Sequence, residues 1–401
     1  MNKITRDILS GLLTALLFSA FIYFEYFGLT NKIINTLFGI GAISLLLYIS
    51  KRAVLVAGFF IGLLWFYWVC YSFKYQGVGY MEPIIFFFFG LLYLLFFAPL
   101  ALTNRPYLRA IFLFGLSFVE PLGWNWMKIE LLFVNSYIGI YKYQLLLLLA
   151  ALSLPSLLKK PYKYAPFLLL FGAINFGYPP QTMAPLKIKL VASHIPQEKK
   201  WKLASLQPTV DYAFEQIKKA KKEKYDVIVF PESFFPLFMN QNPELIYELL
   251  QESQDIAIVT GSLLRENGLN YNVTYLFANK KFKVAKKLVL VPFGEYIPLP
   301  KFARKFINDT FFAGGSDFVT AKHPTDFIIK GVKFRNAICY EATCKELYEG
   351  NPKYMIAISN NAWFAPSIEP TIQKLLMEYY ARKHGTTIYH AANYAGTGVV
   401  K

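Results

Sequence analysis

Long apolar runs in the first 180 residues restrict the fold of this chain more than any other feature of its sequence. A helix needs about 20 consecutive apolar residues to cross a bilayer. Seven runs come near that length, at residues 8–28, 33–50, 53–73, 81–103, 107–123, 143–158 and 164–180. The first is longer than the apolar core of a signal peptide, and further runs follow it. We therefore predict a transmembrane domain of about seven helices over residues 1–180.

The charges of the loops predict the orientation of these helices. Cytoplasmic loops carry an excess of lysine and arginine. Every second loop is the richer one, and these loops hold Lys3, Arg6, Lys51, Arg52, Arg105, Arg109, Lys159, Lys160 and Lys163. The N-terminus is then cytoplasmic, and an odd number of spans places the second half of the chain outside the cytoplasm.

Composition disfavours several other classes of protein. The net charge of +17 would suit a nucleic-acid-binding protein, but residues 1–180 contribute +8 through short loops (13 Lys/Arg and 5 Asp/Glu). The remaining +9 suits a domain beside anionic lipid headgroups, so we expect no nucleic-acid partner. Three cysteines are too few for a disulfide framework. The four histidines lack the spacing of metal ligands, and we expect neither a metal nor another cofactor.

From about residue 186 short β-branched runs alternate with amphipathic stretches, which predicts an α/β domain over residues 186–401. Predicted strands cover residues 188–192, 226–230, 256–260, 272–278, 289–291, 335–339, 355–359 and 387–391. Predicted helices cover residues 209–222, 243–251, 344–348 and 369–383, and residues 301–320 are expected to form a loop with a mobile apolar flap at Gly314-Gly315.

Three polar side chains stand at the ends of these predicted strands, where α/β folds place their sites. Glu232 follows the second strand, Lys287 precedes the fifth, and Cys339 ends the sixth. A thiol that a neighbouring base deprotonates is a strong nucleophile, and Glu232 is a candidate for that base. Lys287 could face the oxyanion that forms when the thiolate attacks a carbonyl. Taken singly, each residue has an ordinary structural explanation, such as a small buried side chain for Cys339.

The segments around these residues resemble those of the nitrilase, or carbon–nitrogen hydrolase, superfamily. They are Phe230-Pro231-Glu232, Lys287 ahead of Val291-Pro292-Phe293-Gly294-Glu295, Cys339-Tyr340-Glu341, and Ser359-Asn360-Asn361-Ala362-Trp363-Phe364. The superfamily uses a Glu–Lys–Cys triad in an αββα sandwich. The resemblance implies this fold for residues 186–401 and catalytic roles for Glu232, Lys287 and Cys339.

Within the superfamily the chain is most similar to the apolipoprotein N-acyltransferases, which also carry several spans ahead of the catalytic domain. The matching segments are Ile195-Pro196-Gln197 with Trp201, the run from Val291 to Tyr296 with Pro298, and Ala392-Asn393. The family moves an acyl chain from a phospholipid to the α-amino group of a diacylglyceryl-modified cysteine, the N-terminus of a lipoprotein, through a cysteine thioester.

The resemblance implies roles for further residues. Glu295 and Glu341 would be supporting carboxylates, and a backbone N–H near Tyr340 would help to hold the oxyanion. Tyr340 and three other aromatic residues would contact substrate, although core packing explains them equally well: Trp201, Trp363 and Phe364. Because a thioester must be kept from water, Phe234-Phe235 and Phe311-Phe312 are candidates for an apolar entrance.

The resemblance also implies partners and a location. The donor would be a phospholipid and the acceptor a diacylated apolipoprotein, at the bacterial inner membrane with the catalytic domain facing the periplasm. We expect a monomer. The family usually continues through more strands and a final span, so this chain would be either a short form or a truncated one.

Two other functions remain open on the residues alone. A membrane-anchored amidase or nitrilase would use the same triad, although a single anchor would then suffice. A non-catalytic lipid-binding scaffold would have no reason to keep all three of Glu232, Lys287 and Cys339.

Overall fold

The computed structural model describes residues 2–292, 294–296 and 318–401. The chain divides into two compact units, Met1–Tyr178 and Pro179–Lys401. Phe293, Pro298, the pair Phe311-Phe312 and the predicted flap at Gly314-Gly315 lie outside the described residues.

The first unit is helical. Its α-helices are α1 (Lys3–Tyr26), α2 (Lys32–Tyr48), α3 (Lys51–Phe66), α4 (Glu82–Ala101), α5 (Pro106–Leu116), α6 (Lys142–Ser153) and α7 (Leu169–Ala173). Among the described residues, three helical stretches are long and apolar enough to cross a membrane, Lys3–Tyr26, Lys51–Gln76 and Gly79–Ala101. Helix α2 and Lys142–Ser156 are shorter apolar helices. Leu16, Leu37 and Leu95 are each more than half exposed on this unit, which is typical of a surface that faces lipid.

The predicted spans 107–123 and 164–180 are much shorter as helices than the sequence indicated. Helix α5 ends at Leu116. Glu120 is extended, as proline favours for the residue before it, and Leu122 has a left-handed φ of 54°, so the helix does not continue through this segment. In the last predicted span Pro166 lies within a 3-10 segment, Tyr162–Leu168, and α7 adds only five residues. Apolar composition therefore overestimated the helix length in both places.

Arg109 on α5 is fully buried at the ends of two other helices. Its Nε donates to the carbonyls of Leu100 and Thr103, both at 2.9 Å, and its Nη1 donates to the carbonyl of Ile49 at 2.5 Å. These carbonyls lie at the C-terminal ends of α2 and α4, where helix C=O groups lack helical partners and favour a cation. Arg109 thus joins three helices of the unit.

In the part of the second unit that the structure describes, the strands form two five-stranded sheets. The first has the order β1 (Ile188–Leu190), β2 (Val227–Val229), β3 (Ala257–Glu266), β4 (Leu269–Ala278), β5 (Lys281–Lys286). The second has the order β10 (Gly398–Val400), β9 (Thr387–Asn393), β8 (Tyr354–Asn360), β7 (Val332–Ile338), β6 (Asp326–Ile329). In each sheet three strands are parallel, β1–β3 and β7–β9, and the remaining neighbours are antiparallel.

The alternation of side chains along the strands builds the layers. Val227 and Val229 of β2 pack in one core with Ile338 and Ile356 of the other sheet, so the two sheets face each other. Side chains on the opposite face of the first sheet pack against α9 (Leu206–Lys222) and α10 (Pro243–Glu252). Helix α11 (Glu369–His384) packs against β9 and β10. The predicted αββα sandwich is confirmed.

Three predictions for this unit were wrong in detail. Residues 289–291 do not form a strand, and the strand next to Lys287 is β5, which ends just before it. Residues 344–348 belong to 3-10 turns instead of an α-helix. Phe234 and Phe235 are buried in the core beneath the first sheet, so they do not line an entrance.

Candidate active site

The carboxyl ends of the parallel strands carry the candidate catalytic groups, as expected for an α/β fold. Glu232 follows β2 across Phe230-Pro231, Cys339 directly follows β7, and Asn360 and Asn393 are the last residues of β8 and β9. The geometry at these strand ends determines what the residues can do together.

Cys339 occupies a sharp turn. Its φ is 55°, in the left-handed region that residues other than glycine seldom adopt, and the 3-10 segment Cys339–Thr343 starts there. Such strain in a non-glycine residue is common at functional sites. The cysteine at this turn is free and half-buried.

Glu341 fixes this turn and the segment after Lys287 at the same time. Its Oε1 accepts the backbone N–H of Ile338 at 2.7 Å, and its Oε2 accepts those of Leu288 at 2.7 Å and Val289 at 3.2 Å. These bonds explain why residues 289–291 are not a strand, since a carboxylate replaces the neighbouring strand as acceptor. Burial raises the pKa of Glu341 to about 7, although Lys287 and the three N–H donors act to lower it.

Replacing Glu341 with glutamine is expected to destabilise the second unit by about 1–3 kcal/mol, because an amide NH₂ would face a backbone donor. A carboxyl with a raised folded-state pKa favours folding while protonated. The stability of the native protein should therefore fall as the pH rises from about 4.5 to about 7, and the variant should lose this dependence. Thermal unfolding in detergent at pH 5 and pH 8 measures both effects, with the exposed Glu349→Gln as control. An unchanged pH dependence in Glu341→Gln would contradict this assignment.

Lys287 lies buried between two carboxylates. Its Nζ is 2.8 Å from Oε2 of Glu295 and 3.7 Å from Oε1 of Glu232, and 1% of its side chain is exposed. Burial acts to lower the pKa of Lys287, but the charges of Glu295 and then Glu232 outweigh it, so its pKa is raised above the ordinary value. The site therefore contains a permanent cation.

Glu232 is held by donors from three segments. Asn272 on β4 donates its Nδ2 to Oε1 at 2.8 Å, and the backbone N–H of Asn360 donates to Oε2 at 2.9 Å. The buried Lys200 donates to the backbone carbonyl of Glu232 at 3.0 Å. Each carboxylate oxygen is thus oriented by a group from a different strand.

The close approach of Glu232 to β3 depends on Gly261. A Cβ at position 261 would lie 2.7 Å from the Cα of Glu232 and still nearer to the backbone nitrogen of Ser233. Both neighbours are backbone atoms that cannot rotate away. A glycine is therefore needed at this position of β3 for the Glu232 turn to pack against the strand.

Cys339 lies within the influence of these charges. Burial first, and then the charge of Glu232, raise the pKa of its thiol well above the ordinary value, while Lys287 acts to lower it. Gln373 on α11 approaches it, with Nε2 at 4.0 Å from Sγ. A raised pKa favours the protonated thiol, which would need a base during any attack.

Buried amides link the site to the strand ends. Nδ2 of Asn360 donates to Oε1 of Gln197 at 2.9 Å, and Nδ2 of Asn393 donates to Oδ1 of Asn360 at 2.9 Å. Oδ1 of Asn393 accepts from the hydroxyl of Ser193 at 2.8 Å and from the N–H of Ile195 at 2.9 Å. This network joins the segment around Ile195 to the end of β9.

The predicted aromatic contacts differ in exposure. Tyr340 is 3% exposed and packs in the interior, while Trp363 and Phe364 are half-buried in the 3-10 segment Asn361–Phe364. Trp201 is 47% exposed at the end of α8 (Gln197–Lys200). Trp201, Trp363 and Phe364 are thus accessible, whereas the side chain of Tyr340 is buried.

Sequence reasoning overlooked several groups of the site. Lys200 and Asn272 contact Glu232, and Glu369 is buried at the start of α11. The available signal for Lys200 was its position, directly before Trp201 and three residues after the Ile195-Pro196-Gln197 motif. No group of three or more His, Cys, Asp or Glu that could hold a metal ion occurs among the described residues.

Comparison with known proteins assigns the family. The model of the apolipoprotein N-acyltransferase integral membrane domain matches residues 5–176, and that of the carbon–nitrogen hydrolases matches residues 190–397. An apolipoprotein N-acyltransferase of Wolinella succinogenes is 42% identical over 97% of this chain and 95% of its own length. The chain belongs to the apolipoprotein N-acyltransferase family. It is a membrane enzyme that transfers acyl groups and combines a helical membrane domain with a carbon–nitrogen hydrolase fold.

A second relative agrees with this family assignment. The apolipoprotein N-acyltransferase of Helicobacter pylori is 37% identical over 86% of this chain and 82% of its own length. A carbon–nitrogen hydrolase superfamily protein from Xanthomonas campestris, solved with an arsenic adduct in its active site, is similar to 53% of this chain and 77% of its own chain, with a TM-score of 0.40 and 14% identity.

Proposed function

We propose that this N-acyltransferase works by a two-step reaction through a thioester on Cys339, with Glu232 as the general base and Lys287 as the cation that stabilises the oxyanion. The donor is a membrane phospholipid. The acceptor is the α-amino group of the diacylglyceryl-modified cysteine at the N-terminus of an apolipoprotein.

The observation that carries this proposal is the buried ion pair of Lys287 with Glu295 and Glu232 beside the strained Cys339 turn. A cation held by two carboxylates cannot readily give up its proton, so it is suited to stabilise developing negative charge without acting as an acid. Glu295 is a positioning residue in this arrangement, since Oε1 accepts from Lys287 at 2.9 Å and Oε2 from the N–H of Val291 at 2.9 Å.

In the first half-reaction the thiol proton of Cys339 passes to Glu232, and Sγ attacks the ester carbonyl of the phospholipid. The carbonyl oxygen becomes an oxyanion, which Lys287 and a backbone N–H near Tyr340 stabilise. The C–O bond then breaks, and the lysophospholipid oxygen takes the proton from Glu232. A thioester and a lysophospholipid result.

In the second half-reaction the acceptor amine attacks the thioester carbonyl. Glu232 takes the proton that the nitrogen loses, and the same cation holds the second oxyanion. The C–S bond breaks, and Glu232 returns the proton to the sulfur of Cys339. The product is an amide on the lipoprotein, and the enzyme regains its starting state.

The proposal includes a location. The loops that carry the excess of lysine and arginine would face the cytoplasm, which would place the second unit on the periplasmic side of a bacterial inner membrane. Trp201, Trp363 and Phe364 are accessible apolar side chains that would contact the lipid substrates there.

Mass spectrometry of the intact protein in phospholipid micelles tests the proposal. We expect one acyl-chain adduct on the wild type and none on Cys339→Ala, with Cys344→Ala, a buried cysteine of no proposed role, labelled like the wild type. Adding a diacylglyceryl-cysteine peptide should discharge the adduct and give the peptide the same added mass.

Two other outcomes would overturn the proposal. An adduct that water discharges and the peptide does not would indicate a hydrolase. Acyl transfer to the peptide that persists in Cys339→Ala would exclude the thioester.

A further inference from the structure

A second buried carboxyl belongs to the site and has no role in the steps above. Glu369 is 1% exposed in the first turn of α11, and its Oε2 has no hydrogen-bond partner among the described residues. A buried polar atom without a partner is costly, and in a native protein it calls for a functional explanation.

The fold points this carboxyl toward the nucleophile. Glu369 and Gln373 are four residues apart on α11 and therefore share a helix face, and Gln373 places its Nε2 4.0 Å from Sγ of Cys339. The charge of Glu369 also acts on Cys339 at the end of β7, and the charge of Glu232 after β2 acts on Glu369. Glu369 thus shares the face of α11 from which Gln373 approaches the thiol.

The acceptor of the second half-reaction creates a need for such a group. An α-amino group has a pKa of about 7.7–8.0, so at neutral pH it arrives mainly as an ammonium ion. A cation that enters a buried site needs a counter-ion. Glu232 serves as the proton acceptor of the attack itself and cannot also hold the ammonium proton.

We propose that Glu369 binds the α-ammonium group of the acceptor lipoprotein and takes its first proton, which makes the nitrogen a nucleophile. Burial and the charge of Glu232 favour the neutral carboxyl in the empty site. When the ammonium enters, Glu369 releases its proton to solvent and pairs with the cation. Glu369 then receives one proton from that cation, which leaves a free amine. The amine attacks the thioester, and its nitrogen passes a second proton to Glu232. The net release of one proton balances the conversion of an ammonium ion into an amide.

The inference rests on the proposed thioester, and the two half-reactions separate the two claims. Glu369→Gln keeps the shape and the neutral state of the empty site, so we expect it to acquire the acyl adduct from phospholipid micelles like the wild type. Discharge of the adduct by a diacylglyceryl-cysteine peptide at pH 7 should be slower by roughly ten- to a hundredfold, the range for a lost hydrogen bond to a charged group. Discharge by hydroxylamine, which is largely uncharged at pH 7, should be unchanged.

Glu244→Gln is the matched control, because Glu244 is also an acid in the first turn of a helix but is exposed. It removes a helix-terminal charge without touching the site and should discharge like the wild type. The assignment of Glu369 would be overturned if Glu369→Gln slowed discharge by the peptide and by hydroxylamine equally, or if it did not slow discharge by the peptide. Absence of an adduct on the wild type would instead overturn the proposed function.

Discussion

Replacing Lys287 with methionine is expected to slow acylation of Cys339 by phospholipid by at least about a hundredfold, the usual cost of losing one group that stabilises an oxyanion. The same change leaves Glu232 and Glu295 buried without their cation, which should destabilise the fold by about 3–5 kcal/mol. Intact-protein mass spectrometry over time measures the acylation rate, and thermal unfolding in detergent measures the loss of stability.

The neighbouring lysine provides the control. Lys286 is more exposed and pairs with Glu266 on the surface of the first sheet, so Lys286→Met should change neither rate nor stability appreciably. If Lys287→Met does not fold, Lys287→Arg keeps the charge and allows the rate to be measured. A folded Lys287→Met that acylates at the wild-type rate would rule out its role at the oxyanion.

Glu232→Gln is expected to lose about two to four orders of magnitude in both half-reactions, because no group then receives the proton from the thiol or from the amine. Glu295→Gln should lose less, since Glu295 acts only through Lys287. Single-turnover acylation and discharge compare the two variants directly.

The pH dependence of the acylation rate distinguishes the proposed base, Glu232, from the proposed positioning residue, Glu295. Without Glu232, acylation should become steeply faster at high pH, where the thiol of Cys339 ionises without help. Glu295→Gln should keep the wild-type profile at a lower rate. Equal pH profiles for both variants would show that Glu232 is not the base.

The predictable part of the fold came from patterns that local sequence determines. The parallel strands β2, β8 and β9 are mostly apolar and buried on both faces, and their predicted positions agree with the structure to within two residues. The strands β5, β6 and β10 were not predicted, because they are short or carry charged residues such as Lys281 and Lys283 at the edge of a sheet.

The wrong strand at residues 289–291 shows where local patterns fail. The run Leu288 to Val291 has the composition of a strand. Its first two N–H groups bond to Glu341, which is remote in sequence, and that of Val291 bonds to Glu295, which follows in a turn. No property of the run itself indicates that carboxylates will bind its backbone.

The candidate site was predictable to a similar extent. Glu232, Lys287 and Cys339 stand in recognisable motifs, and the structure brings their segments together at the strand ends. Glu369 and Asn272 lie on a helix and a strand with no distinctive local pattern, and only the packing of α11 and β4 makes them part of the site. Their roles depend on distances that the sequence does not encode locally.

Gly261 offers a marker for judging related chains from sequence alone. A homologue can retain the counterparts of Glu232, Lys287 and Cys339, the three proposed catalytic residues, and still carry a side chain at the position of Gly261. Its glutamate turn would then be displaced from the strand, because the atoms in the way are main-chain atoms. We expect such a chain to be a pseudoenzyme, and a survey of genomes that checks only the triad would count it as active.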